Sequence, residues 1–114
     1  MQKDYATQFL GKKVEVVIDR PLGTKHPKHN YYYSFNYGYI SNTLAPDGAE
    51  VDVYVLGIFK PLETFCGTCI AVIQRFEDDD DKCIVVPEGK DYTDAEIRVL
   101  TEFQERFFQS EIIR

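Results

Sequence analysis

The sequence predicts a mainly β fold with one helix (α+β), a small antiparallel, OB-like barrel with the helix packed on it at the C-terminal end. Three observations predict it. Short β-branched or aromatic runs alternate with turn signals as far as Val86, as closely spaced strands do. A capping box, Thr93-Asp94-Ala95-Glu96, then opens a stretch with helical apolar spacing. At 114 residues the chain has material for one hydrophobic core and not two, so residues 1–114 are read as a single domain.

Val14-Glu15-Val16-Val17-Ile18 is β-branched and reads as a strand, ended by Arg20-Pro21-Leu22-Gly23. Lys25 to Asn30 is polar, contains Pro27, and reads as a loop. Aromatic side chains then fall at Tyr31, Tyr33, Phe35, Tyr37 and Tyr39, a period of two that puts the rings on one face of a strand over 31–40. Packing is the expected role of Tyr31, Phe35 and Tyr39. Pro46-Asp47-Gly48 is a turn signal, and Val51, Val53 and Val55 alternate beyond it as a half-buried strand. Residues 65–76 and Lys82 to Val86 read as two strands of a hairpin joined by an acidic tip. The last element is a helix from Thr93 to about residue 110, with Ile97, Leu100, Phe103, Phe107 and Phe108 as its apolar stripe.

Composition excludes several function classes. The hydrophobic share of 44% and charged share of 28% are those of a globular protein, not a disordered one. No apolar run is long enough to span a bilayer, and residues 1–20 show no signal-peptide pattern, so no membrane partner and a cytoplasmic location are expected. A net charge of −6 argues against nucleic acid as a partner, even though a tyrosine stripe can stack bases. The charge is uneven: Lys3, Lys12, Lys13, Arg20, Lys25 and Lys28 outnumber Asp4, Glu15 and Asp19 over residues 1–30, whereas 77–81 are all acidic. Brought together, such ends would suit a polyanion accompanied by divalent metal. Cys66-x-x-Cys69 with His26 and His29 has zinc-type spacing, but small thiols in a strand are more often buried, and reduced cysteines are expected.

Asn36-Tyr37-Gly38-Tyr39-Ile40, followed six residues later by Asp47-Gly48-Ala49-Glu50-Val51-Asp52, resembles the signature of family I inorganic pyrophosphatases. Ile18-Asp19-Arg20-Pro21, Asp80-Asp81-Lys82 and the helix around Phe103-Gln104-Glu105 extend the resemblance along nearly the whole chain. Alone, Asp47-Gly48 is a turn and Asp52 an exposed strand residue; the two motifs together, in family order and spacing, favour the functional reading. The resemblance implies an OB-like barrel that hydrolyses pyrophosphate to two phosphates with Mg²⁺ as cofactor. Magnesium takes hard oxygen ligands and keeps several waters, so a few carboxylates suffice, and paired metals can clamp the attacking and leaving oxygens.

Carried over by position, the resemblance implies Asp47, Asp52 and Asp80 as metal ligands, with Asp19 at a metal-site glutamate position and Glu77 or Asp78 near another. It implies Lys82 and Tyr37 as phosphate contacts, and Lys28 or Lys25 as a further cation. Tyr33 matches a second family tyrosine. The departures are equally specific. Ala49 stands where the family's middle aspartate orients the attacking water, and alternation puts the adjacent Glu50 on the face of Asp52 as a candidate substitute. Phe107-Phe108 replaces a Tyr-Lys pair, and a hairpin between the first two strands is missing. Hydrolysis weakened by these losses is the leading expectation. The alternative is a non-catalytic scaffold that binds a phosphate compound or a protein partner. The sequence leaves homo-oligomerisation open.

Overall fold

Alternation turns Val14, Val16 and Ile18 inward from the first strand, β1 (Lys13–Arg20), and the same device turns Val51, Val53 and Val55 inward from β3 (Val51–Val55). The computed structural model describes residues 5–78 and 80–114; Lys3, Asp4 and Asp79, which enter the charge pattern above, lie outside them. Between β1 and β3 runs β2 (Asn36–Ile40), and β4 (Thr64–Arg75), β5 (Lys82–Val86), α1 (Asp94–Glu105) and β6 (Ser110–Ile113) follow. A short 3-10 turn, Thr7–Phe9, precedes β1.

The sheet order is β1-β2-β3-β5-β4, and β4 pairs back onto β1 to close the barrel. One pairing, β3 with β5, is parallel, so the barrel is mixed where the strand pattern predicts antiparallel pairing throughout. The cause is β4. It lies between β3 and β5 in sequence, crosses to the far side of the barrel, and returns the chain to β3 in the original direction. β4 is also the longest strand, with a register shift between Cys69 and Ala71. Its first residues pair β1, and from Val72 onward that edge is taken over by β6.

Two cores share the inner strands. Val16, Val53, Val72 and Val85 fill the barrel. Phe35, Tyr54, Leu56, Ile84 and Ile97 lie in the second core, which includes the side of α1 that carries Ile97, Leu100 and Phe103. β5 therefore has no exposed side chain, and Cys83 to Val86 read as a continuous apolar run after the buried Lys82.

The predicted capping box is formed: the Thr93 hydroxyl accepts from the Glu96 amide at 3.1 Å and the Glu96 carboxylate from the Thr93 amide at 2.7 Å. The helix stops at Glu105, short of the expected residue 110, and the chain becomes a strand the sequence did not announce. Phe107 and Phe108 consequently fall outside the helix and stay exposed. Arg98 pins the new strand through Ser110, donating to its hydroxyl at 2.9 Å and its carbonyl at 2.7 Å.

Buried polar groups fix the chain around β2. The Asn36 amide is fully buried; its oxygen accepts from the Leu22 and Leu62 amides, each at 3.0 Å, and its nitrogen donates to the Lys60 carbonyl at 2.9 Å. One side chain thus staples two loops to the start of β2. Gly38 is required by close approach, since a Cβ there would stand 1.9 Å from the Val17 carbonyl oxygen. Among the described residues, no helix is long and apolar enough to cross a membrane.

α1 is also held electrostatically. Arg75, at the end of β4, donates Nη2 to Glu105 Oε2 at 2.7 Å and Nε to Oε1 at 3.1 Å, with both residues buried. Arg75→Met should cost about 3–5 kcal/mol, because Glu105 would keep a buried, unpaired charge, and adding Glu105→Gln should recover most of it. Urea midpoints of the single and double variants check this. Gly38→Ala should cost at least about 3 kcal/mol, since its obstacle is backbone that no rotamer change can move.

Candidate functional site

The barrel strands, the 26–33 loop and the end of α1 enclose a cleft of about 400 Å³. Its floor is built from the ends of three strands. Register places Asp52 of β3 opposite Lys82 of β5, and the hairpin tip brings in Asp80. Lys82 Nζ lies 2.7 Å from Asp52 Oδ2 and 2.7 Å from Asp80 Oδ1. The Lys82 side chain is 2% exposed, so its charge is neutralised by these two carboxylates and not by water. Its ammonium also faces the Tyr37 ring at 5.3 Å from the centroid.

Arg75 continues the floor. Its Nη1 lies 3.3 Å from Asp80 and 3.4 Å from Asp78, and its guanidinium stacks on Phe108 at 3.7 Å. Behind it a chain of hydrogen bonds runs through the helix to the cleft wall. Tyr54 donates to Glu105 at 2.7 Å, Gln104 donates to the Tyr54 oxygen at 2.5 Å, and Tyr31 donates to Gln104 Oε1 at 2.9 Å.

The electrostatics follow from burial and pairing. Burial, and then the hydrogen bond with Asp80, push the Asp52 carboxyl up, against the pull of Lys82. Burial works in the same direction on Asp80, but the bond with Asp52 and the charges of Lys82 and Arg75 override it and hold Asp80 below the usual carboxylate range. The two acids therefore titrate as a pair that retains one proton more readily than isolated carboxylates would. Burial, followed by the negative charges of Asp52 and Asp80, raises the Tyr37 phenol well above its ordinary value, so it remains a donor at neutral pH. The His26 imidazole is lowered by burial and then by His29, Arg20 and Lys28. Its Nδ1 accepts from the amides of Lys28 at 3.0 Å and His29 at 3.2 Å, which leaves Nε2 to carry the proton of the neutral ring.

Of the residues expected from sequence, Tyr37, Asp52, Asp80 and Lys82 come together. Tyr33 also lines the cleft, stacked on Tyr37 at 5.3 Å, and Asp78 reaches its floor through Arg75. Asp47, Glu50, Asp19, Lys25, Lys28 and Glu77 stand elsewhere. Asp47 is exposed, and its Oδ1 accepts from the Ala49 amide at 3.0 Å within its own turn, where Gly48 has φ 88°. Glu50 is exposed just before β3, and Asp19 is exposed at the register shift of β1. Lys25 and Lys28 are exposed on the loop that supplies His26 and His29, and neither lines the cleft. Glu77 is exposed beside a neighbouring hollow with Asp78 and Arg106. Cys69 and Cys83 are buried free thiols hydrogen-bonded to each other, while the free Cys66 is exposed.

The magnesium centre implied by the resemblance needs several free carboxylates facing one point. Asp52 and Asp80 both contact Lys82, Arg75 also contacts Asp80, and among the described residues no three His, Cys, Asp or Glu side chains converge on one point. The donor set present does not fit that centre. Sequence reasoning missed Arg75, His26, His29, Gln104 and Tyr31 as cleft residues. The one available signal was Arg75 itself, a cation closing an otherwise uncharged strand directly before an acidic run.

The sequence model of the family described as "Pyrophosphatase: Inorganic pyrophosphatase" matches residues 9–112. Solved inorganic pyrophosphatases share the fold. The protein from Ehrlichia chaffeensis is 22% identical with a TM-score of 0.68, over 90% of this chain and 85% of that one. The one from Helicobacter pylori is 16% identical with a TM-score of 0.66, over 99% and 87% respectively. The one from Neisseria gonorrhoeae is 25% identical with a TM-score of 0.64, over 82% and 71%. No curated protein matches in sequence. With the match running almost from end to end, and the same barrel holding the Tyr37, Asp52, Asp80 and Lys82 cluster, this chain belongs to the inorganic pyrophosphatase family.

Proposed function

We propose that the cleft binds pyrophosphate or a related phosphate compound and hydrolyses pyrophosphate slowly. The observation that carries this is the spare donor capacity of two buried cations at the cleft floor. An ammonium has three N–H groups and a guanidinium five. Among the described residues Lys82 directs contacts to Asp52 and Asp80, and Arg75 directs four to Glu105, Asp78 and Asp80, so each has one N–H group over for a ligand. Tyr37 adds a phenol that stays protonated.

In this arrangement phosphate oxygens settle against Lys82, Arg75 and Tyr37, which offset their charge before any bond changes. Water adds to one phosphorus, and the bond to the bridging oxygen breaks. The departing phosphate takes its charge onto an oxygen that Lys82 can meet. The proton from water passes to Asp80, a poor acceptor because two cations already engage it, and from there to the departing phosphate oxygen. Ala49 contributes no carboxylate at all. No step here is routed through magnesium, because the donor set does not fit it.

Slow turnover follows from the missing base. Phosphate release from pyrophosphate should run about 10²–10⁴-fold below that of family members that keep the aspartate. Assays with EDTA and with saturating Mg²⁺ separate the two chemistries: a rate that rises with Mg²⁺ to the level of those members would overturn the proposal. Ala49→Asp should raise kcat if the turn can deliver an acid to the cleft. Glu50→Gln tests the substitute base, since a true base would lose turnover by the same 10²–10⁴. Tyr37→Phe keeps the ring and deletes the donor, and should weaken pyrophosphate binding about threefold to tenfold by calorimetry. If no phosphate compound binds the parent, the site is not a phosphate cleft.

A further inference from the structure

The walls of the cleft do not match its floor. A small inorganic anion calls for donors on every side, yet this cleft is walled by rings. Phe107, His29 and Tyr31 form a ladder: Phe107 and His29 stack with centroids 6.0 Å apart and planes 21° apart, and His29 and Tyr31 stack at 6.0 Å and 6°. His26 stacks on Tyr33 at 5.8 Å and 19° behind this ladder. Phe107 is 56% exposed and Phe108 40% exposed, although both line the cleft. Phe107 stacks on His29 and meets the Arg106 guanidinium at 5.0 Å, yet the residue stays more than half exposed. Two adjacent phenylalanines left at the mouth of a cleft with a cationic floor are surface held ready for an apolar group.

The two chemistries are side by side. Arg75 stacks on Phe108 and reaches Asp80, so its guanidinium marks the border between floor and wall. A molecule that reaches the Lys82 and Arg75 donors with a phosphate group lays its remainder along Phe107, His29 and Tyr31. Flat rings give area and orientation to a planar partner at little entropic cost. Gln104 lines the cleft beside them, and His26 Nε2 supplies a donor at the same wall. A planar ring with polar edges is the complement of that surface.

We propose that the ligand of this cleft is an organic phosphate carrying a planar aromatic ring, of the nucleoside phosphate class, and that inorganic pyrophosphate fills only part of the site. This rests on the phosphate-cleft reading above and narrows its substrate class. The replacement of a Tyr-Lys pair by Phe107-Phe108 then changes what is bound, exchanging phosphate contacts for a ring platform.

ADP and inorganic pyrophosphate are the discriminating probes, since both carry two linked phosphates and only one carries a ring. Ribose 5-phosphate supplies an organic phosphate without a ring. Calorimetry of the full chain in EDTA should give ADP an affinity at least about tenfold above pyrophosphate and ribose 5-phosphate, the scale of one base stacked on a side chain. Phe107→Leu keeps an exposed apolar side chain and removes the ring. It should cut the ADP-to-pyrophosphate affinity ratio about fivefold or more, and His29→Leu should act in the same direction. Circular dichroism confirms that each variant is folded. Pyrophosphate binding as tightly as ADP, or a ratio unmoved by both substitutions, overturns this inference and leaves the phosphate cleft standing. Failure of all three probes to bind overturns both.

Discussion

The buried guanidinium of Arg75 is the constraint on which the other features depend. It is 5% exposed at the end of the longest strand, and three carboxylates from two other parts of the chain pair with it, two at Nη1 and one at Nη2. Glu105 ties it to the end of α1, and Asp78 and Asp80 tie it to the hairpin tip. An unpaired charge in that position would cost several kcal/mol, so helix end and hairpin tip are held where they satisfy it. Those are two sides of the cleft. The same group supplies the ring contact with Phe108 and lines the cleft. Helix docking, tip conformation and the cleft floor therefore share one side chain.

Charge balance in the cleft follows from that arrangement. Carboxylates gathered without cations would repel one another and bind a divalent ion readily. Here Lys82 and Arg75 face Asp52, Asp80 and Glu105, so most of that repulsion is settled within the protein. A metal entering the floor would have to displace a buried ammonium whose two partners lie at 2.7 Å, in a setting where breaking such pairs is costly. The family barrel thus holds a floor whose carboxylates are paired with Lys82 and Arg75.

Much of this was legible in the sequence, for identifiable reasons. Period-two spacing located Val14 to Ile18 because that strand has one wet face, and Val51 to Val55 because Asp52 and Tyr54 leave the barrel interior for the site and the second core. Motif order brought Asp52, Asp80 and Lys82 together, since neighbouring strands β3 and β5 fix their register. The end of α1 was not legible. No Gly or Pro occurs between Asp94 and Arg114, and Phe107 and Phe108 continue the helical spacing, so only pairing with β4 reveals β6. The stripe at 31–39 misled in another way. Strand geometry holds only from Asn36, and the earlier tyrosines lie in a loop that wraps toward the helix, which is why Tyr31 reaches Gln104 instead of packing in the barrel. Local periodicity cannot register a contact across 73 residues.

The turn at Asp47 shows how a motif can survive in sequence and change its work. In a loop that delivers ligands to a site, an aspartate side chain must be free to leave its own backbone. Here the Ala49 amide occupies Asp47 Oδ1, the Gly48 amide donates to Ala45 at 3.0 Å, and the Ala45 amide donates to Ala49 at 2.7 Å. Each bond is one that Asp-Gly makes in any tight turn, with glycine taking the positive φ. Replacing the next aspartate by Ala49 removes the charge repulsion that would have favoured a metal at this point and leaves the turn's own bonding intact. Asp47-Gly48 therefore answers to turn geometry, whereas Asp52 answers to Lys82. The two ends of one signature are maintained by different physics, and only the second of them contacts Lys82 of the cleft floor.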